Sequence, residues 1–287
     1  VWSERKEFLL DGEGKPSKVA GVPPDYFSED GQLWGNPLYD WEAMKRNGFG
    51  WWIRRVEGAS KLFDIIRIDH FRGLESYWAV PAGAETARVG SWEKGPGMDL
   101  LRVLTSWFQG IAFIAEDLGI LTEGVHQLRE ESGLPGMKVL EFAFSDPSNA
   151  YLPHNYQPNC VCYTGTHDND TAAGWYASAP KRERAFAEKY LGVSGAENVR
   201  QALLRAGQGS VADLFVAQMQ DYLGLGSESR INVPGVGEGN WRWRLLPGQI
   251  TAELAEEIRS MTSFYGRCPW IPEPEEEGTG ETDKAEE

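Results

Sequence analysis

The chain has 287 residues and a mass of 32.0 kDa, with 41% hydrophobic and 12% aromatic residues, enough to bury a substantial core. Its formal net charge is −15, of which the stretch 273–287, with eight acids against one lysine, carries −7. An acidic body without a basic stripe argues against nucleic-acid or anionic-membrane partners, and three cysteines are too few for a disulfide framework. No apolar run has the length of a membrane span and no start resembles a signal peptide, so a reducing, cytoplasmic setting is expected.

In chain order, the first informative stretch is 20–41, AGVPPDYFSEDGQLWGNPLYDW, whose prolines and glycines predict a structured loop rather than a strand or helix. A helical pattern follows over 37–57. Short, β-rich apolar runs then recur at 62–68, 111–115, 138–144, 160–164 and 212–218, and helical patterns fall at 99–109, 122–132, 181–191 and 196–206. Strands alternating with helices imply a parallel sheet, and strands buried on both faces should be almost continuously apolar, as these are. The Gly-rich block 231–244, INVPGVGEGNWRWR, reads as a loop, and 250–264 as a last helix. From Pro269 the composition turns to Glu, Pro, Gly and Thr, which predicts a disordered tail.

Several of the apolar runs end in charge: Asp69-His70, Glu116-Asp117 and Thr166-His167-Asp168. In a parallel α/β barrel the active site is built at that end of the strands. Arg67 and Asp69 lie two apart on a strand and so point the same way, and an adjacent guanidinium favours the ionised carboxylate that a nucleophile needs. A strand-end salt bridge would produce the same pattern. A carboxyl at an apolar strand end, Glu116 or Asp117, can be kept protonated by desolvation and serve as an acid/base; the alternative is a cap on the following segment. His167, Asp168, Asn169 and Asp170 suit the hydroxyls of a polyol, though a polar turn has the same composition, and a single His among acids is a poor zinc site. Two carboxylates of opposite protonation are what glycoside cleavage requires. No phosphate-binding glycine loop and no Gly-x-Ser-x-Gly elbow is present.

RIDHFRG, AEDLG and YTGTHDNDT, in that order, together with GVPPDYFSEDGQLWGNPLYDW, YLPHNY and GNWRWRL, resemble the amylomaltase or disproportionating-enzyme family of 4-α-glucanotransferases, relatives of the α-amylases. The resemblance runs from about Val19 to Tyr265. It implies that Asp69 is the nucleophile, held ionised by Arg67, that Glu116 rather than Asp117 is the acid/base, and that Asp168 is a third carboxylate with His167 beside it. His70, Asp25, Tyr26 and Phe27 would contact substrate, the last three on a loop over the donor site, with 25–36 as a lid against water. Maltooligosaccharide and α-glucan donors, and glucose or maltooligosaccharide acceptors, are the implied partners; no cofactor and no metal is implied.

The fold class expected from that resemblance is α/β, the C-terminal part of a (β/α)8 TIM-type barrel, about strands four to eight, with loop and helical insertions. The expected catalytic unit is 1–268 and the acidic tail 269–287. The Val1 start fits a chain cut upstream of three further strands.

Overall fold

The stretch expected to be a loop begins a sheet instead. A computed structural model describes residues 3–24, 28–119 and 121–269, and in it β1 (Lys18–Val22) and β2 (Gln32–Pro37) are antiparallel partners. Asp40 then caps α1 (Trp41–Arg46) by accepting the Ala43 N–H at 2.8 Å. The expected helix over 37–57 breaks at Asn47-Gly48, because Gly48 (φ 69°) and Phe49 (φ 58°) both take the left-handed conformation before α2 (Gly50–Ser60) begins.

The chain continues through β3 (Ile65–Ile68), β4 (Ser76–Pro81), β5 (Ser91–Lys94), α3 (Met98–Trp107), β6 (Ala112–Ala115), α4 (Glu123–Ser132), β7 (Gly136–Val139) and β8 (Cys160–Tyr163). It closes with α5 (Ala172–Ser178), α6 (Lys181–Leu191), α7 (Ala196–Gln208), β9 (Leu214–Val216), α8 (Met219–Leu223) and α9 (Ala252–Phe264). β4 and β5 complete an antiparallel sheet in the order β2-β1-β4-β5, with Trp78 directly opposite Trp92 and their rings 5.2 Å apart.

All five apolar runs are strands, though shorter than the sequence suggests. β3 pairs in parallel with β6, and β7, β8 and β9 form a second parallel group. One backbone hydrogen bond, Ala115 N–H to Pro135 O at 2.9 Å, joins the two groups. Both faces of these strands carry apolar side chains, which is why the runs lack polar alternation. Ile68, Phe113 and Ala115 pack with Phe71, Leu100, Leu101 and Leu104, while Cys160 and Cys162 pack with Phe144, Trp175 and Leu203. On the other face Ile114, Met137 and Val161 pack on one another.

That inner face is incompletely covered at its ends. Ile65, Leu214 and Val216 are 45%, 37% and 38% exposed, and a cavity of about 410 Å³ at the N-terminal end of the strands is lined by residues including Ile65, Ile111 and Leu214. The run 138–144 leaves the sheet at Val139 and becomes a single turn over Leu140–Phe142, which brings Glu141 behind the strand ends. Residues 231–244 contain no helix or strand, as expected of a loop. The expected tail, 269–287, lies outside the described residues except for Pro269. No described helix is long and apolar enough to cross a membrane.

Candidate active site

The ends of β3 and β6 are tied into one unit by the backbone: Glu116 N–H donates to Ile68 O and Phe71 N–H donates to Glu116 O, both at 3.0 Å. The side chain of Glu116 adds to this. Its Oε2 accepts the His70 N–H at 2.7 Å and its Oε1 the Leu118 N–H at 3.1 Å. Arg67, one pleat before Asp69, reaches its carboxylate at 3.0 Å, as the alternation along the strand requires. The two acids differ sharply in setting. Asp69 is 77% exposed at the lip of the strand, while Glu116 is mostly buried. Burial, and after it the negative charge of Asp69, push the Glu116 carboxyl up to about 7 against the pull of the two N–H donors.

Asp117 has a different task. It accepts the Met137 N–H at 2.7 Å and lies 3.4 Å from Arg129 Nε, so it clips the end of β6 to β7. Of the adjacent acids, it is Glu116 that feels the charges of Asp69 and Arg67, whereas Asp117 feels those of Arg129 and Lys138. Replacing Asp117 by Ala leaves a backbone N–H without its acceptor and is expected to destabilise the fold by about 1–3 kcal/mol, read as a lowered midpoint in denaturant.

His70 turns the chain sharply with φ 48°, a costly left-handed conformation for a residue with a side chain, and the Glu116 carboxylate pins its N–H. Its ring is packed edge-on against Trp34, 4.8 Å away. Burial pushes the imidazole down to about 4, which favours the neutral ring at physiological pH. Because β2 is part of the sheet, residues 32–36 of the expected lid form a strand that holds Trp34 against His70.

The third polar strand end, after β8, is organised by a segment the sequence left as a plain loop. Asn232 Nδ2 donates to Asp168 Oδ1 at 2.6 Å, and Arg230 Nη2 donates to the Asp168 carbonyl at 2.6 Å. His167 Nε2 lies 3.4 Å from Asp168 Oδ2, and its ring packs against Trp241 at 5.2 Å. The readable signal for these contacts was two Asn and two Trp within the Gly-rich run 231–244.

Arg67 and His167, one hundred residues apart, line one cavity of about 210 Å³ together with Met137, Tyr163, Thr166 and Gln218. The site thus gathers Arg67, Asp69, His70, Glu116, His167 and Asp168 at one end of the parallel strands. Asp25, Tyr26 and Phe27 lie outside the described residues. Among the described residues no cluster of His, Cys, Asp or Glu has the arrangement of a metal site. What the arrangement can do is place an exposed, Arg-paired carboxylate beside a buried, proton-holding one, with a third carboxylate at the end of β8.

A family model described as 4-alpha-glucanotransferase matches residues 1–250. A 4-alpha-glucanotransferase of Thermus thermophilus is 52% identical over 275 residues, covering 93% of this chain and 55% of that protein. The chloroplastic/amyloplastic 4-alpha-glucanotransferase of Solanum tuberosum is 48% identical over 271 residues, covering 93% and 47%. Among solved structures, amylomaltase from Streptococcus agalactiae in complex with acarbose superposes with a TM-score of 0.87 at 37% identity, over 92% of this chain and 54% of that one. Amylomaltase from Corynebacterium glutamicum shares the fold, with a TM-score of 0.70 at 19% identity. The chain spans about half the length of the curated relatives it matches.

Proposed function

Because this chain belongs to the 4-alpha-glucanotransferase family, we propose that its site transfers α-1,4-glucan segments from maltooligosaccharide or α-glucan donors to glucose or maltooligosaccharide acceptors. The single observation that carries this reading is the pairing of Asp69, exposed and 3.0 Å from Arg67, with Glu116, whose carboxyl holds its proton to about pH 7. Retaining glycoside transfer needs those two protonation states side by side.

In the first half-reaction Asp69 attacks the anomeric carbon and the bond to the leaving glucan oxygen breaks, that oxygen taking the proton of Glu116. In the second, Glu116 as a carboxylate takes the proton of the acceptor's 4-hydroxyl. That oxygen then displaces Asp69 from the anomeric carbon, so configuration is retained and both carboxyls return to their starting states. Asp168, oriented by Asn232, binds sugar hydroxyls and faces the positive charge that develops on the ring, with His167 beside it. His70 contacts the donor sugar as a neutral ring. Asp25, Tyr26 and Phe27, between β1 and β2, are proposed to cover the donor site and keep water from the glucosyl-enzyme.

The five parallel strands are read as strands four to eight of a (β/α)8 barrel whose unit runs over 1–268, followed by the acidic segment 269–287. The exposure of Ile65, Leu214 and Val216 on the inner face supports this, since apolar residues there pack inside a closed barrel. The same exposure favours a second reading, in which the chain binds glucan but turns it over only when the rest of a barrel is supplied.

Incubation of the chain with maltotriose, followed by chromatography, tests both. Glucose together with maltooligosaccharides longer than the substrate is the expected result and establishes transfer. Reducing sugar without longer products would assign hydrolysis instead. Unchanged maltotriose with retained acarbose binding would establish the second reading.

A further inference from the structure

Behind the strand ends, outside the machinery described so far, lies a buried acid with an orphaned oxygen. Glu141, in the turn after β7, is 5% exposed, and its Oε1 is fully buried without a hydrogen bond. Directly above it passes the strap 164–171 that carries His167 and Asp168, fixed at its start by Glu141 N–H donating to Thr164 O at 3.2 Å. The contact point is Gly165: a Cβ there would come 2.7 Å from Glu141 Oε1 and 3.0 Å from Gln218 Nε2. The absence of a side chain at 165 is what lets the strap settle on the acid.

The neighbours of Glu141 are themselves acids, but they are satisfied. Asp170, from the strap, accepts the Thr171 N–H at 2.8 Å and the Ser227 hydroxyl at 2.7 Å. Asp221, from α8, accepts the Thr164 hydroxyl at 2.5 Å and the Ala172 N–H at 2.7 Å. Gln218 is turned so that its amide N–H donates to Asp170 O at 2.9 Å, leaving its own buried Oε1 without a donor. Both oxygens of Asp170 and of Asp221 therefore have donors, whereas Glu141 Oε1 has none. Burial first, then the charges of Asp221 and Asp170, hold the Glu141 carboxyl well above the usual carboxylate range, with only Arg230 opposing.

We propose that Glu141 is a positioning residue: its side chain forms the bed on which Gly165 rests, and so sets the strap that carries Asp168 and brings His167 to the cavity shared with Arg67. Loss of its proton puts a third negative charge beside Asp170 and Asp221 and lifts the strap. The inference rests on the proposed glucan site only for the meaning of Asp168; the position of the strap is read independently of it.

With four histidines in the chain, the imidazole NMR signal of His167 can be followed as the pH is raised from about 5 to about 10, across the range in which a buried carboxyl can titrate. In the wild-type protein the His167 signal is expected to shift as Glu141 loses its proton, accompanied by a falling melting temperature and a loss of acarbose affinity of at least about threefold. Glu141→Gln, which keeps the shape and cannot ionise, is expected to lose that shift and to keep its affinity at high pH. Gly165→Ala, pressing on the same bed from above, is expected to move the His167 signal even at low pH. Superimposable His167 curves and parallel melting curves for wild type and Glu141→Gln would overturn the proposal, as would a Gly165→Ala protein with an unmoved His167 signal. If acarbose binds neither protein at any pH, the glucan reading fails, while the His167 curves still decide the role of Glu141.

Discussion

Replacing Asp69 by Asn is expected to lower glucan transfer by on the order of 10⁴-fold or more in kcat while leaving the fold intact. The two halves of that expectation have separate causes. In the proposed mechanism the carboxylate bonds to the anomeric carbon, and an amide of the same shape is too poor a nucleophile to replace it. Stability is spared because Asp69 is 77% exposed and its ion pair is with Arg67, so the substitution strands no buried partner; surface changes of this type move stability by about 0.5 kcal/mol at most. A further consequence follows from charge. The negative Asp69 is the second cause of the raised Glu116 carboxyl, after burial, so in Asp69→Asn that carboxyl releases its proton below about 7. Maltotriose kinetics, a thermal melt and the carboxyl titration check the three statements. Transfer within tenfold of wild type in a folded Asp69→Asn protein would remove Asp69 from its assigned role.

The parallel strands were legible because burial on both faces writes an unbroken apolar run, and the helices between them because their amphipathic period is long enough to read. The antiparallel sheet was not. β1, β4 and β5 are four to six residues long, and the Pro and Gly that flank β1 and β2 carry the same marks as a loop. The pairing of Trp78 with Trp92 was a usable signal for a hairpin, but it becomes visible only once the strands are in register. The split of the first long helix stood in the sequence as Asn47-Gly48, a turn pair inside a periodic pattern.

At the site, the charged strand ends Arg67, Asp69, Glu116, His167 and Asp168 could be read from sequence, because charge at the end of an apolar run is conspicuous. Their supports could not. Asn232, Arg230 and Trp241 reach Asp168 and His167 from more than sixty residues away, and no local pattern records such a contact. Glu141 was hidden for a different reason. It sits in an apolar run that reads as strand to 144, and only where the strand stops, at Val139, does it become clear that the acid turns inward.

Glu116→Gln is expected to lower transfer by on the order of 10³-fold or more, and its pH behaviour separates it from the loss of the nucleophile. The first half-reaction needs the Glu116 proton, so the wild-type rate is expected to fall as the pH rises through about 7, where that proton is lost. The residual activity of Glu116→Gln, which has no proton to lose, should not show this alkaline limb. Stability moves with pH for the same reason. The folded chain holds the Glu116 proton above the ordinary value of 4.5. This contribution to stability is therefore complete at low pH and lost as the pH rises from that value through about 7; the Gln variant should lose this slope from its melting curve. A donor whose leaving group needs no proton, an α-glucosyl fluoride, divides the two carboxylates directly. It should restore the formation of the glucosyl-enzyme in Glu116→Gln, because only acid assistance is missing there. It should do nothing for Asp69→Asn, because the bond-forming oxygen is absent. If the fluoride rescues Asp69→Asn and not Glu116→Gln, the roles of the two carboxyls are exchanged, and the protonation states set by burial at β6 and by Arg67 at β3 have been assigned to the wrong steps.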